Sequence, residues 1–364
     1  MKTDIELIDR NFANLTVENE DIRWLSCHED VFRIYGVFYD EKQGLFIRVP
    51  DEVARSTSPH VHHLSRMTAG GRLRFVTDSP FVAIKAAIPA LKPMPHMPIT
   101  GSHGFAVHAD GVFQGRYSPS FDDFLNAKNL GSFSENIYFV AKKNLLKINQ
   151  KQIIDVYFPL YGGVSDIFIG VAPDSIVEAA PPYTYEKPFL FYGSSITQGG
   201  CVSRPGNDYV AVIARRLDSD YINLGFSGNG NAEDAIIDYI CSLDVSCIAF
   251  DYNLYNNEKS KSLPSHYSVY ERIRARKPNV PILLHDKPGC EYSYHPTRAS
   301  IIRETYDRAI AAGDRHIAHI YAEELFGEFE RDACTVDGNH PNDLGASRIA
   351  DAMCGIIKDL IDGK

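Results

Sequence analysis

A change of periodicity near residue 188 constrains this chain more than any other feature. Downstream of Lys187-Pro188 one unit repeats: a short apolar strand, a turn, then a helix. The strand segments are Phe189 to Tyr192, Tyr221 to Leu224, Cys247 to Tyr252, Val280 to Leu284 and His316 to Tyr321. The helical segments are Tyr209 to Leu217, Ala232 to Leu243, His266 to Arg276, Arg298 to Ala312 and Leu344 to Ile361. In the first helix apolar residues fall at 209, 210, 213, 214 and 217, which is one helical face. Such alternation builds a parallel sheet between two layers of helices, so residues 188–364 are expected to form an α/β domain.

Upstream, the pattern is one of strands. Arg72 to Thr77, Phe81 to Ile88, Gly104 to Ala109, Asn136 to Ala141, Ile153 to Leu160 and Asp166 to Val171 are short apolar or alternating runs. Turn residues bound them, among them Gly70-Gly71, Asp78-Ser79-Pro80, Asp110-Gly111 and Gly162-Gly163. This spacing predicts an antiparallel β-sandwich over residues 1–180, with no long helical stretch. Pro181, Pro182 and Pro188 stiffen the segment between the halves and cannot continue a ladder, so 181–187 reads as the linker.

A length of 364 residues also favours two domains over one core. The formal net charge of -10 argues against a nucleic-acid or anionic-membrane partner, and no stretch approaches the roughly 20 apolar residues of a membrane span. The seven cysteines are odd in number and irregularly spaced, without a CxxC pair, so they read as reduced thiols. The N-terminus lacks a continuous apolar run, and a cytoplasmic location is the expectation; a chain from which a leader was removed is the alternative.

Ligands bind at the carboxyl ends of the strands in such sheets, so the strand-to-helix turns are where chemistry is sought. Four stand out. Tyr192-Gly193-Ser194-Ser195-Ile196-Thr197 follows the first strand and places a serine hydroxyl at the sheet edge. Asn223-Leu224-Gly225-Phe226-Ser227-Gly228 follows the second, and its glycines let backbone amides approach a ligand. Asp251 to Asn257 follows the third and offers Asn253 and Asn256 as side-chain donors. Asp337-Gly338-Asn339-His340-Pro341 precedes the last helix, and an Asp three residues before a His can orient its ring. Each alone reads at least as well as a plain turn, the second and third better so.

Together, GxSxT, NxGxSG, an Asn after the third strand and DxxHP resemble, in order, the four signature blocks of SGNH (GDSL-like) hydrolases. The resemblance covers roughly residues 188–361. It implies a flavodoxin-like parallel sheet between helices, and a serine esterase acting through Ser195, His340 and Asp337. Its oxyanion hole would comprise the amides of Ser195 and Gly228 and an Asn side chain. Counting from Asp244 favours Asn253, with Asn256 as competitor. No cofactor and no metal is implied. The sequence also looks like a branch with an added β-rich N-terminal domain, here jelly-roll-like, through Gly70 to Pro80 and Tyr157 to Val171. The branch's Gly-x-Asp-Leu-Tyr element would fall on Gly104-Phe105-Ala106-Val107-His108, where Asp and Tyr are missing. Ser194 stands where Asp is commonest.

By analogy the substrate is a small-molecule or carbohydrate ester, the acyl group acetyl. A glycan-binding protein with a degenerate hydrolase half is the rival reading. A second rival takes His60 and His62, on one strand face with His63 beside them, as zinc ligands. Arg204 is expected to pair with an acidic neighbour. The β-rich half has three roles open to it: stabilising the hydrolase, roofing its active site, or mediating homo-oligomerisation.

Overall fold

The computed structural model describes residues 21–89, 92–120, 123, 133, 136–147, 150–252, 265–289 and 296–363. The N-terminal half is an antiparallel sandwich. One sheet has the order Arg23–Ser26, Asp166–Val171, Phe81–Pro89, Asn136–Asn144. The other has the order Val177–Glu178, Arg72–Thr77, Gln152–Tyr157, Phe105–Ala109, Val112–Tyr117, with Arg33–Tyr35 also on Arg72–Thr77. Alternate residues of the two sheets meet in one core, including Leu73, Phe75, Ile84, Phe105, Val107, Ile154, Ile167 and Ile169, all fully buried. Each such side chain contributes about 1.5–3 kcal/mol through removal from water.

The second half is a five-stranded parallel sheet. Its strands are Tyr185–Gly193, Ser219–Gly225, Cys247–Asp251, Ile282–His285 and Ile317–Ile320. The order places the second strand at one edge and the first beside it, followed by the third, fourth and fifth: a flavodoxin-like sheet. Successive side chains of the first strand serve opposite faces. Phe189 and Phe191 pack with helices Tyr209–Leu217 and Asp343–Asp362, while Leu190 and Tyr192 pack with Asp234–Ser242, His266–Arg276 and Pro296–Ala311. Caps fix the first pair of helices: Asp208 accepts from the Ala211 amide, and Asn342 from the Leu344 and Gly345 amides.

Two helices of the N-terminal half, Asp51–Thr57 and Pro59–Ser65, lack a counterpart in the sequence reading. Their buried Ala54, Val61 and Leu64 join the core of the α/β half rather than that of the sandwich. Met97, Tyr157, Leu160 and Tyr161 likewise pack against the other face of the parallel sheet. The two halves therefore share apolar cores along their seam.

The Pro59–Ser65 helix overturns the zinc reading of His60, His62 and His63. On a helix, positions two apart point to nearly opposite sides. His62 Nε2 instead meets Asp51 Oδ1 at 2.8 Å, and His63 packs on the Phe133 ring. Pro59 at the first helical position and the Ser58 hydroxyl accepting from Val61 start the helix where a strand was expected.

Candidate active site

The first parallel strand ends at Gly193 and a four-residue helix begins at Ser195. Ser194 caps it, its Oγ accepting from the Ile196 amide, which directs the next hydroxyl outward from the carboxyl edge of the sheet. Ser195 is half-buried, and its Oγ lies 2.9 Å from His340 Nε2.

His340 is presented by the loop before the last helix. Asp337 organises that loop with both carboxylate oxygens. Oδ1 accepts from the amides of Asn339 at 3.0 Å and His340 at 2.7 Å. Oδ2 lies 2.7 Å from His340 Nδ1. With the proton on Nδ1, the network leaves Nε2 as acceptor toward Ser195. Partial burial pulls the Asp337 carboxyl up, but these hydrogen bonds outweigh it and hold it at about 2. It is therefore a carboxylate at any pH where an imidazole titrates.

The turn after the second strand is tied to the same short helix. The Ser227 amide donates to Gln198 Oε1, Asn223 Nδ2 donates to the Thr197 carbonyl, and the Phe226 amide donates to the Gly193 carbonyl. The approach requires glycine at 225, where a Cβ would sit 2.1 Å from the Gln198 nitrogen. Gly228 adopts φ +68°, a left-handed conformation suited to glycine. The amides of Ser195 and Gly228 have no hydrogen-bond partner among the described residues. Asn253 and Asn256 lie outside the described residues.

Residues without any local sequence signal complete the surroundings, and they come from both halves. The Tyr161 hydroxyl donates to the Ser195 carbonyl at 3.3 Å. His96, at the tip of a turn bridged by Met94 and Met97, brings its ring 5.5 Å from that of His340. Cys201 is buried beside them, its amide donating to the Pro341 carbonyl at 2.7 Å. Arg204 follows expectation in part: burial lowers its guanidinium, and the nearby Asp343 carboxylate opposes that. Its guanidinium stacks over Phe113 at 3.9 Å, while the acidic neighbour Asp343 accepts from the Ser203 amide and hydroxyl.

Comparison with known proteins follows the same division. Residues 186–358 match the model of the GDSL-like Lipase/Acylhydrolase family. Residues 22–177 match the N-terminus of Esterase_SGNH_hydro-type, despite Ala106 and His108 in its signature element. No curated protein sequence matches the chain. Among solved structures, a protein from Bacteroides ovatus ATCC 8483 described as a GDSL-like lipase superposes with TM-score 0.77 at 23% identity, covering 94% of this chain and 98% of that one. The salicylyl-acyltransferase of a tetracycline biosynthetic pathway gives TM-score 0.69 at 18% identity, covering 91% and 95%. A family two carbohydrate esterase from Cellvibrio japonicus gives 0.56 at 12% identity, covering 94% and 99%. At these identities the structures attest the fold, and the two family models the lineage: this chain belongs to the SGNH (GDSL-like) hydrolase family, in the branch whose hydrolase half follows a β-sandwich.

Proposed function

We propose that the chain is a serine esterase that removes short acyl groups, acetyl foremost, from a carbohydrate. The observation that carries this reading is the hydrogen-bonded series Ser195–His340–Asp337 at the carboxyl edge of the parallel sheet. In this mechanism His340 Nε2 takes the Ser195 proton as Oγ attacks the ester carbonyl, and Asp337 stabilises the imidazolium. The developing oxyanion is received by the amides of Ser195 and Gly228 and by an Asn side chain, Asn253 ahead of Asn256. His340 returns the proton to the leaving alcohol, and water repeats the cycle on the acyl-enzyme. The carbohydrate half of the reading draws support from the likeness to the Cellvibrio japonicus esterase. Residues 1–180 are assigned to the accessory half and 188–364 to the catalytic half, the former helping to wall the site. A glycan-binding protein with a lapsed hydrolase half is disfavoured, because a drifting site has no reason to keep all three groups in register.

The test is hydrolysis of p-nitrophenyl acetate against longer acyl chains, followed by acetylated xylo- and gluco-oligosaccharides. Turnover selective for acetate, reduced by about 10⁴-fold or more in Ser195→Ala and His340→Ala without additivity, is the expected result. Asn253→Ala should cost about 10²–10³-fold and Asn256→Ala far less. Turnover indifferent to Ser195 overturns the mechanism, and preference for long chains overturns the substrate class.

A further inference from the structure

Three side chains that bind transition metals converge beside the reactive serine. One nitrogen of His96, the sulfur of Cys201 and one nitrogen of His340 lie within 4.8 Å of one another. They come from three separate parts of the chain, and packing anchors the segment that carries each. His96 sits at the tip of the Met94–Met97 turn, whose Met97 is buried in the same core as Ile196, Cys201 and Val202. The following helix, Ile99–Ser102, is docked on the Cys201 segment. Thr100 Oγ1 donates to the Ser203 carbonyl at 2.6 Å, and a Cβ at Gly101 would sit 2.3 Å from the Val202 carbonyl oxygen. The Cys201 amide is bonded to Pro341, next to His340. The sandwich half thus delivers an imidazole, and the hydrolase half a thiol and a second imidazole, to one point.

We propose that this point is an inhibitory transition-metal site, in which His96, Cys201 and His340 capture a zinc-type divalent ion and switch the esterase off. Two imidazoles and a thiolate are borderline-soft donors suited to zinc or cobalt(II), with a fourth position left for water. Tetrahedral bonds of 2.0–2.3 Å require donors about 3.5 Å apart. The cluster must therefore contract by about 1.3 Å at most, which the exposed His96 ring can supply by rotation. Capture releases the thiol proton to solvent as the metal–sulfur bond forms. Either ring nitrogen of His340 serves the switch. Bound through Nε2, the ring can no longer accept the Ser195 proton; bound through Nδ1, it loses Asp337. Among the described residues, Cys201 has no part in the acyl-transfer steps, and the site gives the thiol a use.

The switch rests on the esterase reading, whereas the metal site does not, and the experiment separates them. Full-length protein is stripped with chelator and titrated with cobalt(II), following the thiolate-to-cobalt charge-transfer absorption and p-nitrophenyl acetate hydrolysis together. The expected result is a charge-transfer band that rises as turnover falls, with one midpoint, and reversal by chelator. Cys201→Ser should remove the band. Both Cys201→Ser and His96→Ala should move the inhibition midpoint to higher metal by more than about tenfold, the scale on which even outer partners of a metal ligand act. The metal-free turnover of each variant sets the baseline against which its own midpoint is read. Because His96 is exposed, its variant keeps the test open if the buried cysteine change disturbs folding. Cobalt binding without the band, or a midpoint unmoved in His96→Ala, overturns the proposal. A band without any turnover leaves the metal site standing and refutes the esterase reading instead.

Discussion

Two buried arginines cross from the sandwich half to the α/β half, at opposite ends of the parallel sheet and by opposite chemistry. Arg48, at the carboxyl end, has only carbonyls as hydrogen-bond acceptors, with the Phe226 ring 4.7 Å from its guanidinium. Its guanidinium donates to Met67 at 2.7 Å, Leu64 at 2.8 Å, Asn223 at 3.0 Å and Gly225 at 2.7 Å. Burial lowers it to about 9, with no carboxylate to offset the lost hydration. Arg72, at the amino end, pairs with Asp220, donates to the Tyr183 hydroxyl and stacks on Tyr221 at 3.9 Å. There burial also lowers, but Tyr183 and Asp220 outweigh it and the guanidinium is raised. Beside it Arg74 and Asp155 line a cavity of about 210 Å³, which lies at the strand starts and away from Ser195. The amino-end contact is an ion-paired clamp. The carboxyl-end contact is an unpaired cation spent on fixing backbone, and the backbone it fixes leads into the Gly228 turn.

That difference predicts different failures. Arg48→Met leaves four carbonyls without their shared donor and should destabilise the protein by about 3–5 kcal/mol in urea unfolding, the range for breaking a buried charged contact. It should also lower the turnover of the folded fraction, because the Gly225 carbonyl is released. Turnover unchanged per folded molecule would show that Gln198 and Asn223 suffice to place the turn. Arg72→Met should cost about 3 kcal/mol, mainly by stranding Asp220, and leave turnover intact. Adding Asp220→Asn should recover part of that loss, and a strictly additive double variant would refute the clamp.

Acid probes the two halves through their buried histidines, of which His108, His266 and His285 are lowered by burial. His108 in the sandwich and His266 in the α/β half are both lowered to about 3, burial first, with Arg215 and Arg204 adding to the first and Arg298 to the second. Both are neutral when folded, whereas unfolding frees an imidazole of about 6.5 that takes up a proton below that pH. Their contribution to stability is complete above about pH 6.5 and is lost as pH falls towards 3. Unfolding midpoints measured from pH 7 to 4 should therefore decline. His108→Gln and His266→Gln should each flatten the decline, and an unchanged slope in both would assign it to other groups, the buried His285 and the carboxylates among them.

Legibility follows the range of the interactions. The parallel strands and their helices are set by local periodicity, and His266–Arg276 has the bounds that its apolar spacing predicts. The Asp337–His340 contact is legible too, because both partners lie in one tight loop. The seven-residue helices Asp51–Thr57 and Pro59–Ser65 are not, since two turns carry too few apolar positions to distinguish a helix from a strand. Arg48 carries no sequence signal at all. Its carbonyl partners at 223 and 225 lie 175 and 177 residues away, and a carbonyl is offered by every residue. The same holds for His96, whose meaning depends on a loop from the other half of the chain.

The smallest effect concerns Ser194, the position where the family most often carries aspartate. Its hydroxyl caps the helix that begins at Ser195, and the residue is only 7% exposed. Serine and aspartate are near-equal caps, so Ser194→Asp should change stability by less than about 1 kcal/mol. The new carboxylate would lose hydration but gain the helix amides, and these effects oppose each other. It also places negative charge next to the amide that is proposed to receive the oxyanion, so any change in kcat should be a modest decrease. A large decrease would mean that serine at 194 is itself part of this chain's electrostatic design, and that its departure from the family pattern is functional.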